Sequence, residues 1–262
     1  MSAVGHTGAV ALPRRERAFV LAGLAAAVAL SWAYLLDMAA DMDAMAGLMA
    51  GMLQPKPWTA LDALLMFVMW AVMMVAMMLP SATPTILLYA AVSRRQGAKG
   101  RRLAPVWTFV AGYVAVWTAY SGGATALQWA LERAALLSPM MTSTSAIFGG
   151  LILIAAGLYQ LSPAKQRCLE HCRSPVAFLS RRWRHGAVGA FTMGLEHGAF
   201  CLGCCWMLMA LLFVGGVMNL LWVAAIAVFV LAEKAAPFGR GLGRVSALLL
   251  VLAGLGVIAT GA

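Results

Sequence analysis

The chain has 262 residues, of which 63% are hydrophobic and 11% charged, less than half the charge of an ordinary soluble domain. That balance excludes a water-soluble fold. The 19 Lys and Arg against nine Asp and Glu give a net charge of +10. Placed in short loops between apolar runs, such an excess marks the cytoplasmic face of a membrane protein and requires no nucleic acid.

A crossing needs about 20 apolar residues, and the apolar runs predict an all-α, polytopic transmembrane helical bundle of about seven spans in one integral membrane domain, residues 1–262. The spans fall at 18–36, 60–90, 104–130, 144–161, 187–214, 217–234 and 243–260. From the N-terminus onward, the segments between them carry 3, 1, 5, 1, 6, 0, 3 and 0 basic residues, with Lys165 counted in segment 162–186 and Lys234 in the last loop. The alternation predicts a cytoplasmic N-terminus and an external C-terminus.

Individual spans add detail. The first could be a cleaved signal peptide, with Ala39, Ala40 and Ala44 as small residues after it, but its 19 residues favour an uncleaved anchor. Pro80 and Pro84 remove backbone donors in the second, predicting a kink or break near its cytoplasmic end. Gly215-Gly216 is a very short connection between the fifth and sixth. A re-entrant pair there would reverse the C-terminal orientation.

No P-loop, GxSxG elbow or HExxH helix is present, so ordinary hydrolytic chemistry has no visible machinery. What stands out is sulfur, with 18 Met and five Cys. Met38, Met42, Met45, Met49 and Met52 recur at spacings of 4, 3, 4 and 3, which on a helix puts five thioethers on one face. Asp37, Asp41 and Asp43 lie at its start and would concentrate cations. The face reads as a collection surface for Cu(I), which thioethers select over hard ions. An interfacial helix using Met as adaptable filler is the competing reading.

A second block lies in the second span, where Asp62, Met66, Met69, Met73 and Met77 share a stripe with Met74 and Met78 alongside. An acid at a span's outer end with thioethers running inward resembles an ion path. Plain core packing produces the same spacing.

Cysteine is the sharper signal. Met193, His197, Cys201, Cys205 and Met209 are every fourth residue of the fifth span, with Cys204 on the same side and Glu196 beside His197. Thiolate and imidazole are the donors that soft and borderline ions prefer. Gly194, Gly198 and Gly203 read instead as small residues that let another helix approach. In the basic loop, Ser162-Pro163 signals a helix start, and Cys168, His171 and Cys172 would share one face of a short helix ending before Pro175. This group suits a cytosolic metal hand-off, or is a pair of idle reduced thiols. His6 and His185 stand outside any cluster.

The segments Met73–Pro84 and Gly194–Trp206, with Tyr159–Pro163, Cys168–Pro175 and Gly216–Leu220, resemble the bacterial predicted metal-binding integral membrane proteins across spans two to six. The resemblance implies a bacterial inner-membrane protein that binds metal. Copper(I) is the expected ion, with other soft or borderline metals as alternatives. The expected partners are the lipid bilayer and a metallochaperone or metalloenzyme, with oligomerisation left open. Competing functions are a thiol oxidoreductase using the C-x-x-C at 201–204, and a scaffold that inserts metal into a partner enzyme.

Overall fold

The computed structural model describes residues 12–48, 58–97, 106–137 and 142–261, the side chains of 42–48, 96, 97 and 240 excepted. The described residues form helices with no strand, only one isolated bridge between Leu137 and Ser143. In chain order they are α1 (Arg14–Leu48), α2 (Ala60–Gly97), α3 (Val106–Arg133), α4 (Ala146–Leu161), α5 (Pro163–Arg173), α6 (Pro175–Arg182), α7 (Gly186–Ala210), α8 (Leu212–Gly215), α9 (Leu220–Ala235) and α10 (Gly239–Thr260). The all-α expectation holds.

All seven predicted spans coincide with helices, but the expectation of seven crossings is not met by length and apolarity. Among the described residues four helices are long and apolar enough to cross a membrane, those at Arg14–Asp41, Ala60–Arg95, Gly186–Gly215 and Gly241–Thr260. A fifth is reached if α4 and α5, bent 63° apart, count as one broken span. Helices α4 and α9 have only 16 residues each, and α3 is diluted by Thr, Tyr, Trp, Ser and Gly.

The predicted break at Pro80 and Pro84 does not occur, because both prolines lie inside the continuous helix α2. Neighbouring hydroxyls serve the same turn: Ser81 donates to the Met78 carbonyl at 2.8 Å and Thr83 to the Leu79 carbonyl at 3.2 Å. Such local donors make proline tolerable in an apolar helix.

Helix packing depends on glycine. Gly112 and Gly194 set the backbones of α3 and α7 against each other, and a Cβ at Gly194 would come within 2.1 Å of the Phe109 carbonyl oxygen. These two helices run parallel, since residues 109, 113 and 116 of α3 meet 194 and 198 of α7 in the same order. Gly150, Gly157 and Gly254 bring α4 and α10 together in the antiparallel sense. Between α7 and α9 the chain turns through α8 and Gly216 (φ +92°), a conformation that glycine adopts without steric penalty.

Two lysines assigned to topology are not loop residues. Lys165 lies in the first turn of α5 and is fully buried, while Lys234 lies in the last turn of α9 at 9% exposure. Both are held by specific partners, and the cost of burying an unpaired ammonium explains why partners are present.

Candidate metal centre

The predicted stripe on α7 faces inward. Met193, His197, Cys201, Cys204, Cys205 and Met209 are all buried, because the glycine contact with α3 turns this face into the bundle. Cys201 is the hub. Its Sγ lies 3.0 Å from the Tyr113 hydroxyl of α3 and 2.8 Å from Lys234 Nζ of α9. Tyr113 donates to the Met78 carbonyl at 3.0 Å, and Lys234 to the Ser81 hydroxyl at 3.1 Å. Three helices are thereby fixed around one sulfur.

Cys204 and Cys205 follow Cys201 by three and four residues, and both thiols turn back to the Cys201 carbonyl, at 3.1 and 2.9 Å. Cys205 also approaches the Met78 thioether, with 3.9 Å between the sulfurs. The His197 ring lies among Tyr113, Phe178 and Phe109 at centroid distances of 5.7, 5.5 and 6.1 Å. It is within electrostatic reach of Cys201, and its buried Nδ1 has no hydrogen-bond partner. An orphaned buried nitrogen beside thiols is an available ligand.

The short helix α5 joins this centre. Ser162 starts it as expected, accepting from Lys165 N at 3.2 Å, and Ser174 ends it before Pro175. The 63° bend at Ser162-Pro163 folds α5 back over α7, where Gly203 leaves space for the Cys168 side chain. Cys172, partly buried against the core, is within electrostatic reach of Cys204. Packing of α5 on α7 thus brings the loop cysteines beside the span cysteines, two groups that are separate in the sequence. His171 does not share it: the ring stacks on Phe200 at 4.1 Å, and Nδ1 contacts the Arg167 carbonyl at 2.8 Å.

The remaining predicted residues divide. Glu196 points away from the sulfurs and pairs with Arg182 and Arg184 at 3.2 and 2.8 Å. Met193 accepts from Arg184 N at 3.2 Å. In α2, Met69, Met73 and Met77 are buried in the core, and Met66 is partly buried. Asp62 closes a capping box, its Oδ2 accepting from Thr59 N and Oγ1 at 2.8 Å each. Met38 packs partly buried against the core, and Met42 and Met45 lie in α1. The side chains of Met42 and Met45, and the whole of Met49 and Met52, lie outside the described residues.

The composition-based reading missed Met78, Tyr113 and Lys234 as members of the centre. Lys234 carried a usable signal, since an ionisable residue ending an apolar run defaults to function. Its count as a topology marker hid it. It also missed Glu233, whose carboxylate receives Lys165 Nζ at 2.7 Å while Arg173 of α5 donates to the Glu233 and Ala236 carbonyls at 2.6 and 2.8 Å. Adjacent residues of α9 thus hold α5 through Glu233 and α7 through Lys234.

Among the described residues no three His, Cys, Asp or Glu side chains already converge as a metal-binding group. The thiols of Cys204 and Cys205 are each turned to the Cys201 carbonyl. The donors themselves, four thiols, a thioether and an unpartnered imidazole, fit a soft ion and offer nothing to a hard one.

No curated protein and no solved structure matches the chain. A family model does: that of PpoB2, described as a copper chaperone, matches residues 67–257, from α2 into α10 and including all five cysteines. The metal-related part of the resemblance seen in the sequence is borne out, with copper as the metal. The protein belongs to the PpoB2 copper chaperone family, and its function is copper-related.

Proposed function

We propose that the protein is a multi-pass membrane carrier that receives Cu(I) on methionines and holds it on the buried cysteine cluster for transport or delivery. One observation carries this reading: α5 packs over α7 with Cys168 above Gly203 and Cys172 within electrostatic reach of Cys204, on the helix whose Cys205 meets Met78 and whose His197 Nδ1 is unpartnered. Cys201, Cys204, Cys205 and Cys172 are the ligands on this reading, with Met78 and His197 completing the soft donor set. Rotation of Cys204 and Cys205 away from the Cys201 carbonyl aims their sulfurs at the ion. Met69, Met73 and Met77 line the approach. Thioethers followed by stronger thiolates make a downhill order toward the cysteines.

The setting is the bacterial inner membrane, with the N-terminus cytoplasmic and the C-terminus outside. The Lys and Arg counts support that orientation, since they still alternate when the buried Lys165 and Lys234 are left out. Large apolar side chains on the outside of the bundle, among them Leu61, Leu151, Leu221, Val228 and Leu248, are more than half exposed and suit contact with acyl chains. A metallochaperone or metalloenzyme would exchange the ion with the α5 end of the cluster.

The test is competitive Cu(I) titration of the purified, reduced protein against a chromogenic chelator. Wild type is expected to compete, Cys201→Ser/Cys204→Ser/Cys205→Ser to lose competition, and Cys172→Ser alone to weaken it. If wild type does not compete, the copper-carrier reading is wrong, and quinone-dependent thiol oxidation becomes the next assay. Copper uptake into vesicles then separates flux from delivery without flux.

A further inference from the structure

Near the N-terminal end of α2, about three turns before Met78 and the cysteines, hydrogen bonds close over the methionine ladder. Gln128 of α3 is fully buried, and its Oε1 accepts from Trp70 Nε1 at 2.8 Å, which fixes the orientation of the amide. Its Nε2 therefore faces the other way and meets two acceptors, Met66 Sδ at 3.7 Å and Glu132 Oε1 at 2.9 Å. Glu132 is fixed in turn, because Oε2 accepts from Trp58 Nε1 at 2.7 Å.

A thioether and a carboxylate thus converge on one positively polarised group. A thioether is a weak hydrogen-bond acceptor but a good ligand for a soft cation, so the partner that gains most by replacing the amide is a soft ion. The carboxylate supplies the charge that draws a cation to a partly buried position. Met66 precedes Met78 by twelve residues, about 18 Å along the helix axis, and Met69, Met73 and Met77 lie between them at rises of about 4.5–6 Å. The two ends of the ladder are then a mixed carboxylate–thioether group and a thiol cluster.

We propose that Met66 and Glu132 form a second soft-cation site at the far end of the methionine ladder, in which the ion takes the place of the Gln128 amide. The identity of the ion as Cu(I) rests on the function proposed above. Trp58, which holds Glu132, also lines a cavity of about 540 Å³ with Phe67 and Trp129, and this gives the covering indole room to move. The site differs from the cysteine cluster in strength as well as place. With one thioether and one carboxylate it suits transient loading, and the thiols suit retention.

The test uses the full-length protein labelled with ¹³C-methyl methionine in micelles and titrated with Ag(I), a redox-inert analogue of Cu(I). The Met66 signal is identified by its loss in Met66→Leu, a volume-conserving change. It is expected to shift with Ag(I), and Glu132→Gln, which removes the charge and keeps one of the two acceptor oxygens, is expected to raise the Ag(I) concentration required by about tenfold. The same Met66 response is expected in Cys172→Ser/Cys201→Ser/Cys204→Ser/Cys205→Ser, so failure of the cysteine cluster to bind is read separately. A Met66 signal that stays fixed in excess Ag(I), or that shifts at the same concentration in Glu132→Gln, overturns the proposal.

Discussion

Gly194→Ala is expected to destabilise the bundle by about 3 kcal/mol, the upper end of ordinary overpacking, and to weaken Cu(I) binding with it. The added Cβ would lie 2.1 Å from the Phe109 carbonyl oxygen and 3.0 Å from the Tyr113 nitrogen. Both are backbone atoms, so no side-chain rotation relieves the clash and α3 must move. Gly112 closes the same contact from the other side, with its Cβ position 2.2 Å from the Phe191 carbonyl oxygen. Displacing this turn of α3 carries Tyr113 away from Cys201, which ties the packing defect to the metal centre. Gly123→Ala and Gly256→Ala are the controls, because nothing lies within 4 Å of either Cβ position. They are expected to be neutral or stabilising by up to about 1 kcal/mol through helix propensity. Reversible unfolding in mixed micelles measures the stabilities, and chelator competition measures the affinities. Equal stability of Gly194→Ala and wild type would contradict the close α3–α7 contact.

The second large effect is expected at Lys165. Lys165 and Glu233 form a 2.7 Å ion pair with side-chain exposures of 0% and 2%. Lys165 also bonds Gln160, which reaches Ser246 of α10 at 3.0 Å. Glu233 Oε1 has no hydrogen-bond partner, so the lysine is the main compensation for a buried carboxylate. Lys165→Met is expected to cost about 3–5 kcal/mol, the range for removing one member of a buried pair. Glu233→Gln in the same chain is expected to recover part of that loss, since it removes the uncompensated charge. The double-mutant cycle separates the pair's coupling from the packing lost with each side chain. Because Lys165 lies on the helix that carries Cys172, Lys165→Met is also expected to speed alkylation of Cys172 by a maleimide. Unchanged alkylation together with lost stability would mean that α5 is held to α7 by its other contacts alone.

Sequence pattern determined the class of this protein. Apolar runs located the long helices of the bundle, though not the polar α5 and α6, because a long hydrophobic run must be buried whatever its neighbours are. The four-residue period of His197, Cys201 and Cys205 was legible for the same reason, since one helix sets the spacing of its own face. Ser162-Pro163 and Pro175 marked the limits of α5 through local backbone chemistry.

Tertiary structure decided which of these faces meet. That Cys172 comes within electrostatic reach of Cys204 follows from the bend at Ser162-Pro163 and the space over Gly203, and neither has a periodic signature. Lys165 and Lys234 look like topology residues in the sequence, and only their partners Glu233 and Cys201 reveal buried charges. Glu196, adjacent to His197 in the chain, turns to Arg182 and Arg184 because neighbours on a helix point about 100° apart. Met78 lies off the stripe that begins at Met66, and contact with Cys205 depends on how α2 crosses α7. Spacing within one helix is fixed by its own geometry, whereas the meeting of two helices is set by packing between residues far apart in the chain.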